Sequence, residues 1–219
     1  MEQISLTEPQ SEPNDATPFL PERRALSTLR EAAAGCRGCH LWRGATQTVF
    51  GEGLKRSRAM FVGEQPGDRE DRAGRPFVGP AGRELDLALD AVGIARGDVY
   101  ITNVVKHFKF EERGRRRIHQ TPKRFEIDAC RPWLDEELAQ VDPEALVLLG
   151  ATAAKALLGS AFRLTRHRGE LLDSDLAPIV AATIHPSAIL RQPDERSRAG
   201  ERDAFARDLR VVAEALAGS

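Results

Sequence analysis

The chain has 219 residues, 41% of them hydrophobic and 30% charged, with a net charge of −1 at pH 7. That length supports one α/β domain with a substantial core, and no apolar run approaches the ~18–20 residues that span a bilayer, so no membrane attachment is expected. Residues 1–19 carry no Lys or Arg and read as neither signal nor transit peptide; a cytoplasmic location is expected, and an odd count of three cysteines argues against a disulfide framework.

Residues 1–20 are rich in Pro, Glu and Ser and read as a disordered acidic tail, leaving one domain over 21–219. Residues 21–34 have a helical pattern that stops at Gly35. Residues 58–62 (RAMFV) form a first strand, followed by the loop GEQPG at 63–67. A helix is expected over 79–92, with Leu85, Leu89 and Val92 on one face, and a second strand over 99–102 (VYIT).

Between Lys106 and Arg124 eight basic residues stand against Glu111 and Glu112. Such a local excess steers a phosphate backbone even when the total charge is compensated. Its 113–119 portion lacks apolar periodicity and reads as an exposed basic loop. Further along, 125–138 is helical, 145–149 (ALVLL) is a third strand, 151–158 a short helix, 179–183 (IVAAT) a fourth strand and 197–216 an amphipathic helix.

Strands that are apolar throughout and separated by helices imply a parallel sheet covered on both faces. The expected fold is a three-layer α/β/α domain with a central four-stranded parallel sheet. In such sheets ligands bind beyond the carboxyl ends of the strands. Those ends deliver GEQPG, Asn103, Gly150 and His185-Pro186-Ser187, so the candidate site lies there.

Cys36 and Cys39 form a C-x-x-C, and Cys130 is the third thiol. A fourth ligand must come from His40, His107, His119, His167 or His185. His107 is the choice, because it precedes the connection that Cys130 ends. An iron–sulfur cluster and a zinc ion both suit this donor list, and buried structural thiols are the plain alternative.

The segments GEQPG (63–67), FVGPAG (77–82), NVVKHFKF (103–110), RRRIH (115–119) and HPSAILR (185–191) together resemble the uracil-DNA glycosylase superfamily, in its family 4-like branch of the UdgX type. The likeness runs from about Cys36 to the C-terminal helix. It implies a [4Fe–4S] cluster rather than zinc, on Cys36, Cys39, Cys130 and His107, the last standing where family 4 relatives carry a cysteine. It also implies uracil-containing DNA as substrate. Single strands are the expected preference, because the basic loop has no rigid wedge motif, and a monomer is expected.

Cleaving the N-glycosidic bond of deoxyuridine builds positive charge on the sugar and negative charge on departing uracil, after the base has left its stack. The resemblance implies that His185 donates to uracil O2, that Asn103 reads the amide edge, and that Phe77 stacks on the base. Gly63 and Gly67 would admit the backbone close to the nucleotide. Glu64 would support the nucleophile or the developing cation, with Asp68 ranked second for that work, and Gln65 would touch base or sugar. Ser187, Arg191, Arg115, Arg116 and Arg117 are expected near phosphates, and Ala188 stands where close relatives often have Ser.

His119 decides the outcome. In relatives of the UdgX type the matching histidine becomes bonded to the abasic sugar, so a self-trapping enzyme is expected. The competing readings are a phosphate-contacting His119 in a conventional turnover glycosylase, and a non-catalytic iron–sulfur protein that binds damaged DNA.

Overall fold

The computed structural model describes residues 14–219. In chain order its elements are α1 (Leu26–Ala33), β1 (Ala59–Gly63), α2 (Asp68–Ala73), α3 (Pro80–Ala91), β2 (Val99–Asn103), β3 (Phe110–Arg113), β4 (Arg116–His119), α4 (Arg124–Val141), β5 (Ala145–Leu149), α5 (Ala151–Leu158), α6 (Leu164–His167), β6 (Leu171–Leu172), β7 (Ile179–Thr183), α7 (Ser187–Leu190) and α8 (Glu195–Gly218).

Strands β1, β2 and β5 are buried along their whole length, which requires cover on both faces. The sheet order is β2-β1-β5-β7-β6, with the first four strands parallel. Side chains alternate across each strand and so split into two cores. Met60, Val62, Leu146 and Leu148 pack with Leu29 of α1 and Trp133 and Leu134 of α4. Phe61, Val147 and Leu149 pack with Leu85 and Leu89 of α3 and Phe205 and Leu209 of α8. These are the three layers that the apolar runs imply.

The sheet departs from the expected four strands by β6, a two-residue strand paired antiparallel to β7 at the edge. Two residues are too few to show alternation. Residues 113–119 are not a loop. They belong to an antiparallel β3–β4 hairpin in which Phe110 pairs with His119 and Arg113 with Arg116. Gly114, at the first central position of its two-residue turn, takes a left-handed φ of 61°, which suits glycine. Both strands are largely charged and stand outside the main sheet, so no apolar alternation marks them.

Residues 1–13, within the expected acidic tail, lie outside the described residues. The rest of that expected tail is packed. The Ala16 N–H donates to the Ala129 carbonyl at 2.8 Å, Ala16 is buried, and Phe19 and Leu20 rest against the core. The folded unit therefore begins before Pro21, on three apolar side chains too scattered to set a period. No helix among the described residues is long and apolar enough to cross a membrane.

Candidate active site

The parallel register sets Gly63 beside Asn103 at the carboxyl edge of the sheet. A cavity of about 560 Å³ opens there, lined by Glu64, Gln65, Gly67, Asp68, Phe77, Asn103, His119, Thr121, His185, Ser187 and Arg191 among others. The residues expected at the strand ends are thus brought together, and the hairpin adds His119 from outside the sheet.

The floor is shaped for a flat ring. A Cβ on Gly63 would lie 2.4 Å from Asn103 Oδ1 and 2.6 Å from Phe77 Cζ, so only glycine lets these groups meet. Phe77 is held at φ 53°, a left-handed conformation that costs an aromatic residue about 1–3 kcal/mol. Its ring is 5.6 Å from that of His185, inclined by 34°. Asn103 is buried, and its Oδ1 has no hydrogen-bond partner among the described residues. A buried acceptor left unpaired costs about 1–3 kcal/mol, and a ligand carrying an N–H would recover it.

The proton on His185 can be assigned from its partners. The backbone N–H of Ser187 donates to Nδ1 at 3.2 Å, so Nδ1 is an acceptor and the neutral ring carries its hydrogen on Nε2. Ser187 Oγ lies 2.8 Å from the same Nδ1 and accepts from Arg191 Nη1 at 2.8 Å. Burial pushes the His185 pKa down to about 4, helped by Arg191 and His119 and opposed by Glu64. The ring is therefore a neutral donor at pH 7.

Opposite His185, Glu64 Oε1 stands 3.3 Å from Nε2 of His119. Its Oε2 accepts from Thr152 Oγ1, at the start of α5, at 2.5 Å. Burial alone would raise the Glu64 carboxyl, but hydrogen bonds from His119 and Thr152 hold it below the usual range. Glu64 is ionised at neutral pH. The His119 side chain is 48% exposed, open to an incoming ligand.

Three expected contacts are engaged elsewhere. Gln65 is buried and does not offer its amide to a base: Nε2 donates to the carbonyls of Lys109 at 3.2 Å and Gln120 at 3.0 Å, while Oε1 accepts from the Lys109 N–H at 3.0 Å. It fastens both ends of the hairpin that carries His119. Arg117 does not reach out for phosphate. Its guanidinium pairs with Asp68 at 2.5 Å and buried Asp71 at 2.7 Å, and lies 4.9 Å from the Phe110 ring centroid. Asp68 lines the cavity with its carboxylate tied to Arg117 and Arg72. Arg115 and Arg116, by contrast, are exposed and form no ion pair among the described residues.

Two further residues escaped the sequence reading. Thr152 is one. Glu70 is the other: its carboxylate accepts from the N–H groups of Gly67 at 3.1 Å and Gly79 at 2.7 Å, lacing the GEQPG and FVGPAG loops together. The GEQPG spacing offered one signal, a Glu three residues after Gly67 at a helix start.

The cysteines lie away from the cavity. Cys36 Sγ accepts from Trp133 Nε1 at 3.2 Å and from Gly38 N at 3.5 Å, and Cys130 Sγ accepts from Lys106 N at 3.2 Å. Burial pushes the Cys130 thiol up to about 12, so its thiolate needs a cationic partner. The Thr48 hydroxyl donates to the Ala33 carbonyl at 2.9 Å and so accepts from His107 Nε2 at 2.8 Å. That leaves the His107 Nδ1 lone pair free, the usual arrangement of a metal-ligating imidazole with an oriented second nitrogen. No three His, Cys, Asp or Glu groups among the described residues converge as on a single ion.

A family model described as the uracil DNA glycosylase superfamily matches residues 50–210. The chain is 39% identical over 175 residues to a type-4 uracil-DNA glycosylase of Pyrobaculum aerophilum, covering 77% of this chain and 86% of that protein. It is 38% identical to the type-4 enzyme of Thermotoga maritima, covering 79% and 87%. A type-5 uracil-DNA glycosylase of Pyrobaculum aerophilum is 32% identical, covering 61% and 62%.

Proposed function

The chain belongs to the uracil-DNA glycosylase superfamily, and on that basis we propose that it excises uracil from DNA and stays bonded to the abasic sugar through His119, as in the UdgX type. The observation that carries this reading is the Glu64–His119 pair at 3.3 Å on the cavity wall, facing a neutral His185.

Asn103 supplies an acceptor for uracil N3–H and a donor for O4, a pattern that cytosine does not match. Phe77 stacks on the ring. The Nε2–H of His185 points to O2, and its bond strengthens as negative charge collects there, an effect of a few kcal/mol. The C1′–N1 bond breaks with its electron pair going to uracil. The ionised Glu64 favours the sugar cation, and a ring nitrogen of His119 donates its lone pair to C1′. The remaining N–H proton then passes to Glu64 or solvent, leaving a neutral N-alkyl imidazole with no facile leaving route. Arg115 and Arg116, exposed on the hairpin, would meet phosphate.

Cys36, Cys39, Cys130 and Nδ1 of His107 would hold a [4Fe–4S] cluster. Bound there, it would cross-link the loop after α1, the approach to the hairpin and α4; bond cleavage needs none of its chemistry.

The second reading, release of a free abasic site with Glu64 orienting water, draws support from the type-4 relatives. A denaturing gel of protein with end-labelled uracil DNA separates the two. Capture gives a heat- and detergent-stable retarded band, absent with thymine DNA. Alkali-labile DNA with no such band would establish the turnover enzyme.

A further inference from the structure

From the surface beside the cysteine loop we infer that residues 36–43 and the start of α4 form a second nucleic-acid surface, which holds unpaired nucleotides flanking the uracil in a single strand. This rests on the reading of DNA as substrate and adds to it a place for the strand outside the cavity.

Residues 35–51 contain Arg37 and Arg43 and no Asp or Glu, and 113–125 are likewise free of acids. Within these two segments Arg37, Arg115, Arg116 and Lys123 are the cations whose side chains form no ion pair among the described residues. The Arg37 guanidinium lies 4.9 Å from the Trp42 ring centroid and forms no ion pair among the described residues. His40 and Phe125 lie 5.9 Å apart at 30°. Phe125 is 55% exposed, although it is a large apolar side chain at the second position of a long helix.

The acids nearest these rings are already engaged. Glu126 is buried and shared by His40, Lys109 and the Lys123 N–H, and Asp128 is paired with Arg124. Lys123 and Arg124 link the rings to the cavity, because Thr121 lines it and Phe125 is only four positions further on, at most about 14 Å of chain. Aromatic rings interleaved with cations bind single strands without sequence preference, through base stacking and phosphate attraction. Paired bases would not offer their faces to these rings, so an unpaired strand is the occupant. The loop is anchored by buried Leu41 and Cys36, which keeps the rings in place.

The test uses the intact protein and two uracil oligonucleotides, a long single strand and one trimmed to the nucleotides around the uracil. Trp42→Ala, Phe125→Ser and Arg37→Ala should each weaken binding of the long strand by about fivefold or more, with excision from the trimmed strand unchanged and Trp42→Phe retaining affinity. Unchanged binding of the long strand by all three variants, with wild-type excision intact, would overturn the second surface alone. A wild-type protein that neither binds nor excises would overturn the reading of function on which it rests.

Discussion

Nε2 of His119, on a hairpin outside the main sheet, stands 3.3 Å from Oε1 of Glu64, on the loop that leaves β1. Two segments more than 50 residues apart in sequence therefore present a carboxylate and an imidazole to one cavity. The carboxylate is kept ionised by that imidazole and by Thr152.

His119→Ala should abolish the covalent band while uracil release continues, because Asn103, Phe77 and His185 are untouched. Glu64→Gln should slow excision by about 10²–10³-fold, the usual contribution of a positioned acid–base group. Single-turnover assays on labelled uracil DNA measure both. Capture undiminished in His119→Ala would remove His119 from the mechanism.

Asn103→Asp exchanges the amide donor for a second acceptor. Uracil O4 would then face a carboxylate, and uracil excision should fall by about 10²-fold or more. Excision rates on uracil and cytosine DNA decide this; equal uracil rates in the variant and the parent would mean that Asn103 does not read the base.

Gln65→Ala cuts the three hydrogen bonds that fasten both ends of the hairpin. Capture should drop about tenfold while uracil binding holds, because His119 loses its position and the base slot does not. The ratio of crosslink yield to total uracil release is the readout. A uniform loss of both would identify Gln65 as a general folding residue.

His185 titrates near 4 in the folded chain against an ordinary 6.5, through burial. The unfolded chain takes up this proton first, so the stability is fully present above pH 6.5 and is lost as pH falls towards 4. The loss is limited to about 3 kcal/mol. Urea unfolding of the parent should weaken over that window more than that of His185→Gln. Parallel curves would show that His185 is not held neutral by the fold.

Much of this protein was legible in one dimension. The buried strands read as continuous apolar runs, because a sheet covered on both faces has no polar side to show. Their ends then marked Glu64, Asn103 and His185, because polar or glycine residues interrupt each run where backbone and ligand must meet. Five short segments in the right order named the family. The hairpin was different. Its strands are charged on both faces and held by Gln65 and by the Arg117–Asp71 pair, contacts between residues 44 and 46 positions apart, and such pairings leave no local period. The same distance hid the bracing contacts of Gln65, Asp68 and Arg117, which residue type alone marked only as ligand contacts. Sequence by itself determined which chemistry the chain carries, since residue type and strand end are local properties. Only the tertiary structure decided which polar groups satisfy one another and which remain free for a ligand, because hydrogen-bond satisfaction is settled between segments that meet only on folding.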